Sequence, residues 1–184
     1  MGVKELFVAI FTLLFRNNSL WRDLKKGVPG EDFNVLREYA VPVIALVQLA
    51  KFPLIGVPQP AMLFAIINFL VDIAVLYLIT GGVSYLVTRE QSESGKAMML
   101  NVIGYSMTPV WLVELLYFTG SRSWLFAVIA LSYTLVIGKN GLTVLFDLEP
   151  AGSRPVLRNA AFIVVMVNIV AFLLIGAAMR LFNF

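Results

Sequence analysis

"AMLFAIINFLVDIAVLYLITGGVSYLV", residues Ala61 to Val87, carries a single charged side chain, Asp72. A helix needs about 20 mainly apolar residues to cross the hydrocarbon core of a bilayer. This run exceeds that length, so it reads as a membrane span. Composition agrees over the whole chain. Hydrophobic residues make up 60% of the 184 and charged residues only 14%, with a mean hydropathy of +0.88. Soluble domains carry nearer a quarter charged residues. So much apolar sequence exceeds what one water-soluble core can hide, and the excess is expected to face lipid.

Four further runs have the required length. The five together are Tyr39–Val57, Ala61–Val87, Ala97–Phe118, Ser123–Phe146 and Asn159–Phe182. Polar or Pro/Gly stretches separate them: "PQP" at 58–60, "TREQSESGK" at 88–96, "TGSRS" at 119–123 and "DLEPAGSRPVLR" at 147–158. No internal repeat is evident, so nothing suggests the inverted halves of many transporters. The expected fold is an all-α integral membrane protein of five transmembrane helices, residues 39–184. An N-terminal segment, residues 1–38, precedes them.

That segment opens with "VKELFVAIFTLLFR", whose apolar part is too short to span. Gly2, Glu5, Thr12 and Arg16 fall on one helical stripe, and Val3, Phe7, Ile10 and Leu14 on another. This predicts an amphipathic helix lying in the membrane interface. A signal peptide is the alternative, but no small-residue cleavage site follows. Leu6 stands where myristoylation after Gly2 wants Ser or Thr. Arg16, Trp21, Arg22, Lys25 and Lys26 suit lipid headgroups, anionic ones included. Lys and Arg are concentrated in the N-terminal segment and the second and fourth loops. Lys51, Arg122 and Arg180 count for the other side. This excess predicts a cytoplasmic N-terminus and an external C-terminus.

The chain has no cysteine and no histidine. Thiolate chemistry is therefore excluded, and the commonest general base and metal ligand are missing. No catalytic residue, cofactor or metal site is assigned. An intramembrane enzyme is a poor reading, because Ser106 lacks an activating imidazole and depth separates Asp72 from Glu114. Nucleic-acid binding is not expected.

Polar residues inside the spans are the candidate site. At 1.5 Å per residue, Asp72 lies roughly 17 Å into its helix, near the midplane. Lys139 and Glu114 lie roughly 24 and 25 Å into theirs, close to opposite interfaces. A long Lys side chain can bridge to the midplane, so Asp72–Lys139 is the expected pair, and Glu114 is expected to snorkel. Ala61, Ala65, Asn68 and Asp72 form a small or polar stripe of the kind that marks helix contacts. Asn140, beside Lys139, and Asn168 of the fifth span extend the polar layer. Two readings of Asp72 stay open: a hydrated or proton-accepting site, and interhelical glue.

"NVIGYSMTPVW", Asn101–Trp111, interrupts the third span. Pro109 has no N–H, so the Tyr105 carbonyl loses its helical partner. Ser106 and Thr108 supply hydroxyls nearby, and Gly104 leaves room for a neighbour. A kink is expected, with the Tyr105 hydroxyl directed at the polar layer.

The order "GKAMMLNVIGYSMTP" then "LSYTLVIGKNGL", with Gly104, Tyr105 and Pro109 in the third span, resembles the Yip1 family of five-span membrane proteins. "NNSLWRDL" and "TGGVSYL" resemble its prokaryotic branch, and the likeness runs from about Leu20 to Leu145. The acidic "DLYGP" motif of eukaryotic members is absent. The resemblance implies the five-span fold and a cytoplasmic N-terminus, and no particular chemistry. The expected function is a non-enzymatic scaffold or adaptor, working through the bilayer, its own copies or other membrane proteins. The alternative is a small transporter or ion conductor built around Asp72 and Lys139.

Overall fold

The computed structural model describes residues 2–27, 34–56, 58–87, 93–148 and 153–181. All the elements among them are helical. Helix α1 spans Val3–Lys25, α2 Val41–Ile55, α3 Pro58–Val87, α4 Glu93–Ser106, α5 Thr108–Val113, α6 Ser123–Leu145 and α7 Arg154–Leu181. A π-helical turn, Leu36–Ala40, leads into α2, and a 3-10 segment, Glu114–Arg122, links α5 to α6. Among the described residues, five stretches are long and apolar enough to cross a membrane: Leu36–Ile55, Ala61–Val87, Gly95–Tyr117, Ser123–Leu145 and Arg154–Ala178. The described residues thus have an all-helical architecture with the lengths and apolarity expected of a multi-pass membrane protein. Its perimeter agrees, since Leu49, Leu70, Leu78, Ile129 and Leu173 are exposed. So large an apolar surface is stable only against another apolar phase.

Local chemistry sets the helix ends. Asn34 accepts the backbone N–H of Leu36 at 3.0 Å through its side chain, capping the entry to the first span. Gly56 takes a left-handed φ of 76° and donates its N–H to the Phe52 carbonyl at 3.1 Å. That conformation closes a helix without a Cβ penalty. Helix α3 sits centrally and packs against α2, α4 and α7, while α6 packs against α1, α4, α5 and α7.

Helix α1 is docked on the bundle. Tyr133 donates its hydroxyl to the Leu14 carbonyl, Asn140 bonds Asn17 at 3.3 Å, and Lys25 pairs with Asp147. Both sets of numbers rise together, so α1 and α6 run in the same direction along this contact. Gly141 makes it possible: a Cβ there would stand 2.9 Å from the Trp21 ring. The helix bends at Arg16, whose φ and ψ of −138° and 41° are non-helical. Ser19 donates to the Arg16 carbonyl at 2.8 Å, so side-chain hydroxyls serve carbonyls on both sides of the bend.

The stripes of α1 differ from the expected pair. Leu6, Leu13 and Trp21 are buried at spacings that hold one face to the bundle. Phe7, Phe11 and Phe15 form a second apolar face and are 59%, 61% and 71% exposed. Trp21 is not a headgroup residue: it is fully buried between α6 and Tyr105. Arg16, Arg22, Lys25 and Lys26 remain exposed.

Candidate functional site: a buried ionic cluster

The polar centre forms where α2, α3 and the end of α5 meet. Gln48 and Lys51 lie one turn apart on the same face of α2, three residues being close to one helical turn. Asp72 projects from α3 and Glu114 from the junction of α5 with the 3-10 segment. All four are buried. Lys51 pairs with Glu114, and both side chains are at most 2% exposed.

Gln48 ties the cluster together. Its Nε2 donates to Asp72 Oδ2 at 3.0 Å and to Glu114 Oε2 at 3.2 Å. Its Oε1 accepts from Lys51 Nζ at 2.9 Å. Only this amide orientation works, because the reverse would aim Oε1 at two carboxylates and NH₂ at an ammonium. Lys51 Nζ also stands 5.8 Å from the centre of the Phe64 ring, which adds a cation–π contact from α3. The cluster holds two acids and one base. It is neutral when the acids hold one proton between them, and carries one negative charge when both are ionised.

The expected pairing of Asp72 with Lys139 is absent. Asp72 is engaged by Gln48, and Lys139 is an exposed residue on the wall of a separate cavity between α6 and α7. Lys51, expected among the charges of the external side, instead lies inside the first candidate span with its ammonium buried against Glu114 and Gln48. Glu114 accordingly does not snorkel, since it has a buried cation to meet.

The rest of the expected polar layer disperses. Asn140 bonds Asn17 of α1. Asn168 donates to the Val164 carbonyl at 2.8 Å, one turn back on its own helix. Tyr105 packs its ring on Tyr39, with centroids 4.5 Å apart, and edge-on to Trp21 at 6.1 Å. It belongs to an aromatic cluster and does not reach Asp72.

The break in the third span falls at Met107, between α4 and α5. Thr108 donates its hydroxyl to the freed Tyr105 carbonyl at 2.8 Å. A hydroxyl has one proton, so the 2.8 Å contact between Tyr39 Oη and Thr108 Oγ1 is donated by Tyr39. Ser106 instead donates to the Val102 carbonyl at 2.6 Å. Gly104 faces Val35, whose methyls lie 3.4 Å from where a Cβ would stand.

Two features bear on what the cluster can do. The cavities lined by Lys139 and Arg158, by Tyr117 and Asn168, by Tyr77 and Lys96, and by Val71 and Leu174 do not include Gln48, Lys51, Asp72 or Glu114 among their described lining residues. Asn68, one turn before Asp72 on α3, is fully buried, and its amide N and O have no hydrogen-bond partner among the described residues. Comparison with protein-family models, curated proteins and solved structures finds no match for this chain.

Gln48 and Lys51 were legible as candidates. A Gln and a Lys three residues apart inside an apolar run mark a polar face, and that spacing is in the sequence.

Proposed function

We propose that this chain is a non-enzymatic membrane scaffold or adaptor, acting through membrane or protein partners. The observation that carries the reading is the closure of the ionic cluster upon itself. Lys51, Glu114, Gln48 and Asp72 satisfy one another across three segments. Groups consumed in this way hold helices in register and leave nothing facing a solute. The resemblance to the prokaryotic branch of the Yip1 family supports the same reading. In this proposal the N-terminus is cytoplasmic and the C-terminus external. Moving Lys51 from the external count to the interior strengthens the charge asymmetry behind that orientation. Helix α1 is membrane-associated, with Phe7, Phe11 and Phe15 toward acyl chains and Arg16, Arg22 and Lys26 toward headgroups.

The test is the mass and composition of the protein purified from its membrane into lipid particles. More than one copy per particle, or a stoichiometric membrane partner, supports the scaffold. A single copy without a partner overturns it.

A second reading, a small transporter or ion conductor, draws on Asn68. A buried amide with open hydrogen-bonding capacity beside Asp72 is what a small polar solute would meet. Its test is proton and cation flux into liposomes, compared between wild type and Asp72→Asn.

A further inference from the structure

A cavity of about 400 Å³ opens between α3, α4, α6 and α7, and none of the four cluster residues is in its wall. Its polar groups are unevenly placed. Lys139, Arg154 and Arg158 line it, and all three are exposed. Helices α6 and α7 are consecutive and antiparallel, so these cations gather at one end, beside the connection that joins the two helices. Among the described residues none pairs with a carboxylate, and no acidic residue lines the cavity. The deeper walls are apolar, with Ile103 and Val164 among them. Val164 lies roughly 15 Å along α7 from Arg154.

A second observation points inward. Thr134 is 2% exposed, lines the same cavity, and its hydroxyl has no hydrogen-bond partner among the described residues. It sits roughly 7 Å deeper along α6 than Lys139. Buried hydroxyls are ordinarily bonded, so an open one on a cavity wall marks the place of a polar ligand atom. The volume falls within the range of small-molecule sites, about 300–1,000 Å³.

Three cations that pair with no carboxylate among the described residues, set above an apolar shaft with one hydroxyl inside it, match an anionic headgroup carrying an acyl chain. We propose that this cavity binds an anionic glycerophospholipid. The phosphate sits among Lys139, Arg154 and Arg158, a chain runs along Ile103 and Val164, and Thr134 donates to the ester region. The site is separate from the cluster behind the scaffold reading, and either can fail without the other.

The test is native mass spectrometry of the full-length protein in neutral detergent, titrated with phosphatidylglycerol, phosphatidylcholine or inorganic phosphate. Wild type is expected to hold phosphatidylglycerol in preference to phosphatidylcholine. Each of Lys139→Gln and Arg158→Gln is expected to weaken phosphatidylglycerol roughly fivefold and to leave phosphatidylcholine unchanged. Both residues are exposed, so the variants keep the fold, which circular dichroism checks. Ala161→Phe narrows the shaft with every cation in place, and is expected to weaken the lipid as well. Arg122→Gln removes an exposed cation outside the cavity and is expected to change nothing. Equal affinity for the two lipids overturns the proposal. So does full retention by the Gln variants, or equal loss in Arg122→Gln. Displacement of phosphatidylglycerol by an equal concentration of inorganic phosphate would show a free-phosphate site and overturn the lipid assignment.

Discussion

Lys51 and Glu114, 63 residues apart in sequence, form an ion pair inside the helical bundle with both side chains at most 2% exposed. Removing one partner leaves the other charge buried and unpaired, a loss of about 3–5 kcal/mol in soluble proteins. Lys51→Met and Glu114→Leu alone should each destabilise on that scale. The double variant should lose much less than their sum, because no unpaired charge remains from the pair. Unfolding in mixed micelles, read as a double-mutant cycle, measures the coupling.

Asp72→Asn should behave differently. It removes one acid from a cluster of two acids and one base, and its side-chain oxygen still accepts from Gln48. A change within about 1 kcal/mol is expected, the scale of one interhelical hydrogen bond in a membrane protein. The same unfolding assay checks it. A loss as large as that of Lys51→Met would mean that Asp72 balances the ammonium more than Glu114 does.

Gly141→Leu should release α1. The Trp21 ring occupies the space a side chain there would need. Trp21→Ala should act from the other face, at about 3–5 kcal/mol for an aromatic truncated in a core. Trypsin cleavage at Lys25 and Lys26 should rise in both variants. Unchanged cleavage would show that α1 is held mainly by Tyr133 and Lys25.

Thr108 has two bonds to lose. Thr108→Val leaves the Tyr105 carbonyl and the Tyr39 hydroxyl without it, at about 1–3 kcal/mol for buried groups left unsatisfied. Thr108→Ser keeps the hydroxyl and should cost much less. Thermal unfolding of the pair of variants separates the hydrogen bonds from the packing.

The spans were legible because their signal is length. Ala61–Val87 is the same in sequence and structure, and Ser123 opens the fourth span in both. The kink at 107–109 was legible from Pro109, although only Thr108 of the two hydroxyls turned out to serve the freed carbonyl. The ionic cluster is hidden in the sequence for a physical reason: depth along a helix does not give direction around it, so Glu114 looks like a snorkelling charge, and Lys51, near the end of its span, counts as a charge of the external side. The docking of α1 was hidden because its two apolar faces blur the single stripe that periodicity detects. Only a partner surface, here the notch at Gly141, shows which face is bound.

In the scaffold proposal the cluster around Asp72 locks helices and conducts nothing. Proton and cation flux into liposomes tests this, with wild type and Asp72→Asn at equal density. Flux from both is expected to equal that of empty liposomes. Flux through wild type that Asp72→Asn abolishes would contradict it.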